Sequence, residues 1–306
     1  MPSPTDAAPD PQAEAGAEIA VGEALVLGAL HGPAELLPIS SSGHIALIPW
    51  LLDWDYVHVD AELRKAFEVA LHAGTAAALL ITLRTEVSDA VHGMSLRLAE
   101  LIVLSFVPPA IVGYTLERPI ERHLGTPATI ALGLVAGSVA MARADRSPQT
   151  RASREAGASD ALWLGIAQAC ALVPGVSRNG ATLAAARRRR FTRADANKLS
   201  RHVALPVIAG ATLLKTVRLA HRGLPPRSTL PIALGAGASF ASTLGSTWLI
   251  RQVERDRSLL PYAVYRLALA GLVLGRLAQR RPWRLPEPVS AAPSPAESDR
   301  YTTMAS

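Results

Sequence analysis

The segment His31-Gly-Pro-Ala-Glu-Leu-Leu-Pro-Ile-Ser-Ser-Ser-Gly-His44 constrains this chain more than any other. It sets a carboxylate, a run of hydroxyls and an imidazole inside an otherwise apolar stretch, residues 19–52. Polar groups stranded in hydrocarbon cost several kcal/mol each, so the cluster requires partners or water. Ionisable groups at membrane depth are by default a functional site. A second cluster of the same kind, Pro174-Gly-Val-Ser-Arg-Asn-Gly-Ala-Thr182, lies in a similar setting.

The surroundings of both clusters set the fold class. Of the 306 residues, 49% are hydrophobic and 18% charged, with Ala, Leu, Val and Ile in long blocks. This pattern fits a polytopic helical membrane protein, all-α, better than a soluble two-domain enzyme. No Gly-rich nucleotide loop follows a strand-like run, which weighs further against the soluble reading. Apolar blocks recur from 19–30 to 262–274. Several fall short of the ~20 residues of a simple span, as in discontinuous helices whose broken ends line a cavity.

The net charge of +6 does not indicate nucleic acid. The arginines fall in short groups between apolar blocks, as at Arg143, Arg146, Arg151, Arg154 and Arg187 to Arg190. That is the bias of loops facing the cytoplasm and anionic headgroups. The single cysteine, Cys170, rules out an intrachain disulfide and a Cys-rich metal site and reads as a small apolar helical residue. No signal peptide is expected in the Ala-, Pro- and acid-rich start. Residues 1–17 and 286–306 read as disordered tails around one domain, 18–280.

A weak internal repeat divides that domain into halves at about 18–142 and 158–280. Pro-Ile-Ser-Ser-Ser-Gly from Pro38 resembles Pro-Gly-Val-Ser-Arg-Asn-Gly from Pro174. Matched interrupted segments suggest inverted repeats with two re-entrant regions and a site at their interface.

Each cluster carries its own chemistry. Pro38 precludes regular helix before Ser40, Ser41 and Ser42, so free N–H groups and hydroxyls can form an anion cradle at the next helix start. A plain Ser-rich cap is the alternative. His44 beside that start is a candidate nucleophile or general acid/base. Arg178 carries a permanent charge on a planar fork that fits a phosphate. Ser177, Asn179 and Thr182 add donors, while Gly175 and Gly180 allow close backbone approach. Glu35 can hold a cation, orient His44 or act as a base. His31, one turn earlier, shares its face; as a metal pair the two suit Zn better than Mg or Ca, because one ligand is imidazole. Glu68 and His72 form a further pair of this spacing.

Taken together, these residues resemble the bacitracin-resistance family of undecaprenyl-diphosphatases. The resemblance rests on Glu35 through His44 and on Gln168 through Thr182, with weaker echoes at Val107 through Gly113, Ala204 through Ala211 and Tyr265-Arg266. It implies a bundle of inverted repeats with two re-entrant helix pairs in the bacterial inner membrane. It also implies removal of the terminal phosphate of undecaprenyl diphosphate, which recycles the carrier for peptidoglycan synthesis and confers bacitracin resistance. By the same resemblance Glu35, Ser41, His44 and Arg178 are the catalytic set. Ser40, Ser42, Ser177, Arg178, Asn179 and Thr182 are then the phosphate ligands, and Mg or Ca is the cofactor, held by Glu35. His31 stands where the family places Glu or Gln, removing one carboxylate from that metal site, and Asn179 stands where the family usually has Ser. The partners implied are a polyprenyl diphosphate and the membrane, with no nucleic acid; a homodimer is compatible. Two other readings share these features: an undecaprenyl phosphate flippase, and a lipid-binding paralogue whose catalysis is weakened at His31.

Overall fold

Prolines and capping residues cut the apolar sequence into helices. The computed structural model of the protein describes residues 18–222, 228–255 and 258–279. The tails assigned to 1–17 and 286–306 lie outside these described residues. Helix α1 (Val21–Leu36) stops because Leu37 precedes Pro38 and is held extended, at φ −89° and ψ 153°. Helix α2 (Ser41–Leu52) starts at the N-cap Ser40, whose Oγ accepts from the Gly43 N–H at 3.3 Å. Asp60 caps α3 (Ala61–Thr82) by accepting from the N–H groups of Glu62 and Leu63. A short α4 (Arg84–His92) and a long α5 (Leu96–Leu124) follow. Thr126 then caps α6 (Pro127–Asp145), with proline at its first position.

The second half repeats the opening. Helix α7 (Ala158–Cys170) ends short of Pro174, and α8 (Arg178–Arg188) starts at the N-cap Ser177, whose Oγ accepts from the Gly180 N–H at 3.2 Å. Helices α9 (Arg193–Arg222), α10 (Thr229–Gly245), α11 (Trp248–Arg255) and α12 (Leu260–Gln279) follow. No strand occurs among the described residues; one isolated bridge joins Arg151 to Phe191.

Packing between the halves is reciprocal. Helix α1 lies along α10, and α7 lies along α5. Between these, α6 packs against α12 and α3 against α9. Each half thus sets its first broken helix against a long helix of the other. The α1–α10 contact is close enough to exclude side chains: a Cβ on Gly28 would lie 2.3 Å from the carbonyl oxygen of Gly235.

The outer surface is apolar. Val103, Ile111, Leu132, Trp163, Leu213 and Leu272 are all exposed, more apolar surface than a soluble monomer shows. The stretches Leu96–Leu116, Pro127–Asp145 and Leu260–Gln279 are each long and apolar enough to cross a membrane. The molecule is a helical membrane protein.

Several arginines expected in basic loops serve the fold instead. Arg187 is 1% exposed and donates to the carbonyls of Asp145, Ser147 and Phe191. Arg151 and Arg189 converge on the buried carboxylate of Asp160, at 2.8 and 2.6 Å. Arg193 pairs with Asp145 at 2.7 Å. The helix ends meeting here leave carbonyls without intrahelical partners, and guanidinium groups satisfy them. Arg143, in the last turn of α6, is exposed, as are Arg146 and Arg154 beyond it. Cys170 ends α7 and is exposed.

The α1–α10 contact generates a prediction. Gly28→Val should lower the thermal unfolding temperature in detergent, by the equivalent of about 1–3 kcal/mol or more of overpacking. Gly22→Val, at a helix position with open space around it, should leave that temperature nearly unchanged.

Candidate active site at the two helix breaks

The breaks before α2 and α8 are near copies in conformation. Ser40 and Ser177 both take positive φ, 79° and 72°, a strained choice for a residue with a Cβ. A clamp from α12 holds both. Arg266 is fully buried and donates to Pro38 O at 3.2 Å, in the first break. It also donates to Gly175 O and Val176 O, each at 2.8 Å, in the second. These carbonyls have no helical partner, and burial without a donor would leave them costly. Gly175 completes the fit: its φ is +92°, and a Cβ there would lie 2.2 Å from Ile130 O on α6.

The clamp brings the two polar clusters face to face. Glu35, at the end of α1, accepts from the Arg178 guanidinium at the start of α8. Its other oxygen accepts from the Ser41 hydroxyl at 2.5 Å. Asn179 Nδ2 donates to Leu36 O at 2.9 Å, a second tie between the halves. A carboxylate hydrogen-bonded to a hydroxyl is the pairing of base and nucleophile. Arg178 spends only part of its five-donor fork on Glu35, and the remainder can take a phosphate.

These groups border a cavity of about 340 Å³. Ser40, Ser41, Ser42, Ser177, Arg178 and Asn179 form its polar wall. Pro109, Ile120, Leu172, Val207 and Ile208 add an apolar lining, and Lys65, Glu68 and His72 border the same cavity. The two surfaces suit an amphiphile with an anionic head.

Two residues expected at the reacting centre are placed elsewhere. His44 is buried with both ring nitrogens occupied: Nδ1 lies 2.7 Å from Ser40 O and Nε2 lies 2.7 Å from the Tyr265 hydroxyl. Only a ring N–H can bond a carbonyl, so Nδ1 carries the proton and Nε2 accepts from Tyr265. The imidazole props the first break against α12. Thr182 is 0% exposed and bonds Arg178 O and Ser200 Oγ, at 2.9 and 2.6 Å, so its hydroxyl braces α8 against α9. The packing of α8 against α9, where Ser200 meets it, buries this side chain. Arg201 of α9 pairs with Glu86 of α4 and Glu254 of α11.

Three contributors were under-weighted in the sequence. Tyr265 and Arg266 appear there only as a short echo far from either cluster. Two lone aromatic and basic residues on a hydrophobic helix carry no distance information. His72 on α3 joins His31 and Glu35, with a ligand atom of each within 4.8 Å of the others. Its ring meets that of His31 edge-on, centroids 4.5 Å apart. This donor set of two imidazoles and one carboxylate does not fit Mg2+ or Ca2+. Those ions take oxygen ligands, and this set offers a single carboxylate.

The fold and site define a helical membrane protein with a polar cavity built from two broken helices. The chain belongs to the bacitracin resistance protein BacA family, whose model matches residues 24–272. The undecaprenyl-diphosphatase of Geobacter sulfurreducens is 41% identical over 271 residues, covering 84% of this chain and 98% of that protein. Its counterpart in Geobacter metallireducens is 38% identical, over 82% of this chain and 96% of that protein. That of Thermomicrobium roseum is 34% identical, over 83% and 96%.

Replacing the clamp should unmake the site. Arg266→Leu leaves three buried carbonyls without donors and should cost at least about 3 kcal/mol, read as a lower unfolding temperature in detergent. Arg266→Lys should recover little of this, because one ammonium cannot reach both breaks with a fork's geometry.

Proposed function

We propose that the protein is a membrane phosphatase that removes the terminal phosphate of undecaprenyl diphosphate and returns the monophosphate carrier to cell-wall synthesis. Bacitracin resistance follows from that activity, since it keeps the diphosphate from accumulating as a target. The observation that carries the reading is Glu35 held between Arg178 and Ser41 at the cavity wall. The family and the undecaprenyl-diphosphatase relatives name the substrate class.

In this reading Arg178 releases part of its hold on Glu35 and binds the terminal phosphate with its fork, joined by the hydroxyls of Ser40, Ser42 and Ser177 and the Asn179 amide. The Ser41 oxygen attacks the terminal phosphorus and its proton passes to Glu35. The bond from that phosphorus to the bridging oxygen breaks, and undecaprenyl phosphate leaves with the electron pair. After Glu35 gives its proton to solvent, it draws a proton from a water that attacks the phosphoserine. The bond from phosphorus to the Ser41 oxygen breaks, Glu35 passes that proton to the serine oxygen, and inorganic phosphate departs. Charge spreads over the transferred phosphoryl oxygens, where preorganised donors are most effective. His44 and Thr182 position the breaks and touch no reacting atom.

The domain, 18–280, then sits as a multi-pass protein in the bacterial cell membrane. Its halves are inverted copies, and the breaks before α2 and α8 are re-entrant. The lipid tail lies along the apolar lining, between helices or in the bilayer.

Phosphate release from purified protein in detergent tests this against transport, because a flippase needs a sealed vesicle and produces no phosphate. Arg178→Ala should lower the rate by about 10²–10³ while the protein stays folded, and Arg178→Lys should recover only part. Ser41→Ala should abolish a phospho-enzyme trapped by rapid quench. Wild-type rates in Arg178→Ala, or a trapped intermediate that survives in Ser41→Ala, would refute the assigned roles.

A further inference from the structure

We propose that His31, His72 and Glu35 form a site for a borderline transition-metal ion, of which Zn2+ is the type, in place of a hard cation. The argument starts from which imidazole nitrogens carry protons. His72 Nδ1 lies 2.8 Å from Glu68 O, so it carries a proton, and in the neutral ring Nε2 is the free ligand atom. His31 is settled by a relay. Ser239 donates its one proton to Leu71 O at 2.9 Å and so accepts from Thr75, 2.8 Å away. Thr75, its proton thus spent, accepts from His31 Nδ1 at 2.9 Å. His31 Nε2 is therefore bare, and it is buried with no hydrogen-bond partner.

Two imidazoles on neighbouring helices, one of them 1% exposed, thus have their Nδ1 atoms engaged, and each neutral ring offers its Nε2 lone pair beside a carboxylate. An unpartnered buried nitrogen is costly unless a cation or a donor meets it. Each ring is already oriented through Nδ1 by a carbonyl or a hydroxyl, the outer support that metal-binding histidines ordinarily have. Glu35 has lone pairs beyond those given to Arg178 and Ser41. His, His and carboxylate is a common three-ligand set for zinc with an open coordination position, and imidazole selects Zn2+ over Mg2+ or Ca2+. Small side-chain rotations bring donors now spread over 4.8 Å to bonding distance. The site shares Glu35 with the proposed reaction, and its test is metal binding by the intact protein, which is read independently of turnover.

The test is metal binding to the full-length protein in detergent, after chelator treatment and reloading with Zn2+ alone. The expected result is one tightly held zinc per chain, undisplaced by excess Mg2+ or Ca2+, and lost in His31→Gln and in His72→Gln. Cobalt loaded in its place should give the visible absorption bands of a four-coordinate site, also lost in both variants. X-ray absorption on the zinc-loaded wild type should show imidazole scattering and ligands at about 2.0–2.1 Å, a readout that needs no variant to fold. His31→Glu should shift preference toward Mg2+ and Ca2+. No zinc above a buffer blank, or zinc retained with both histidines replaced, overturns the proposal. If zinc binds but no phosphate is released from undecaprenyl diphosphate, the site stands and the phosphatase reading falls.

Discussion

A single buried guanidinium holds the architecture of the site. Both helix breaks leave carbonyls without the bonds of a continuous helix, deep in a protein where water does not compete. Arg266 answers both at once, donating to Pro38 O on one side and to Gly175 O and Val176 O on the other. Its neighbour Tyr265 holds His44 Nε2, and His44 Nδ1 in turn holds Ser40 O. Adjacent residues of α12 thus fix the positive-φ turn at Ser40 and the matching turn at Ser177. A charge without a carboxylate beside it is expensive to bury, and the dense ring of carbonyl dipoles is what offsets the cost.

With the breaks fixed, the functional groups follow from geometry. Ser41 and Arg178 each take the position after an N-cap serine, and the reciprocal packing of the halves turns both toward Glu35. The ion pair between Glu35 and Arg178 joins elements far apart in the chain, and the Asn179 bond to Leu36 O repeats the link. The same end of α1 brings Glu35 within reach of His31 and His72. Glu35 therefore belongs to two neighbourhoods, a phosphate-facing one and an imidazole-facing one.

Much of this was legible in the chain. Pro38 and Pro174 announce the breaks because proline denies helical backbone to the residue before it and has no N–H to give. Ser40, for which a cap was the alternative to an anion cradle, and Ser177, read as a donor, both prove to be N-caps. Glu35, Ser41 and Arg178 stand out because ionisable and hydroxyl groups in apolar sequence need a reason to be there. The loop arginines misled in part. Arg187 and Arg189 read as solvent-facing charge, yet helix ends meeting at that point required donors. Sequence shows charge but not which carbonyls lie within reach of it.

By itself, the sequence determined the helical membrane class, the two breaks and the polar residues set at them. These follow from local rules: apolar length, proline and the cost of stranded polarity. Only the tertiary structure decided which of those groups meet. It turned His44 and Thr182 away from the cavity, brought His72 of α3 beside His31, and made Arg266 the tie between halves. Such choices depend on long-range packing, where a side chain's partners are set by helices that approach within a few ångströms and lie far away in the chain.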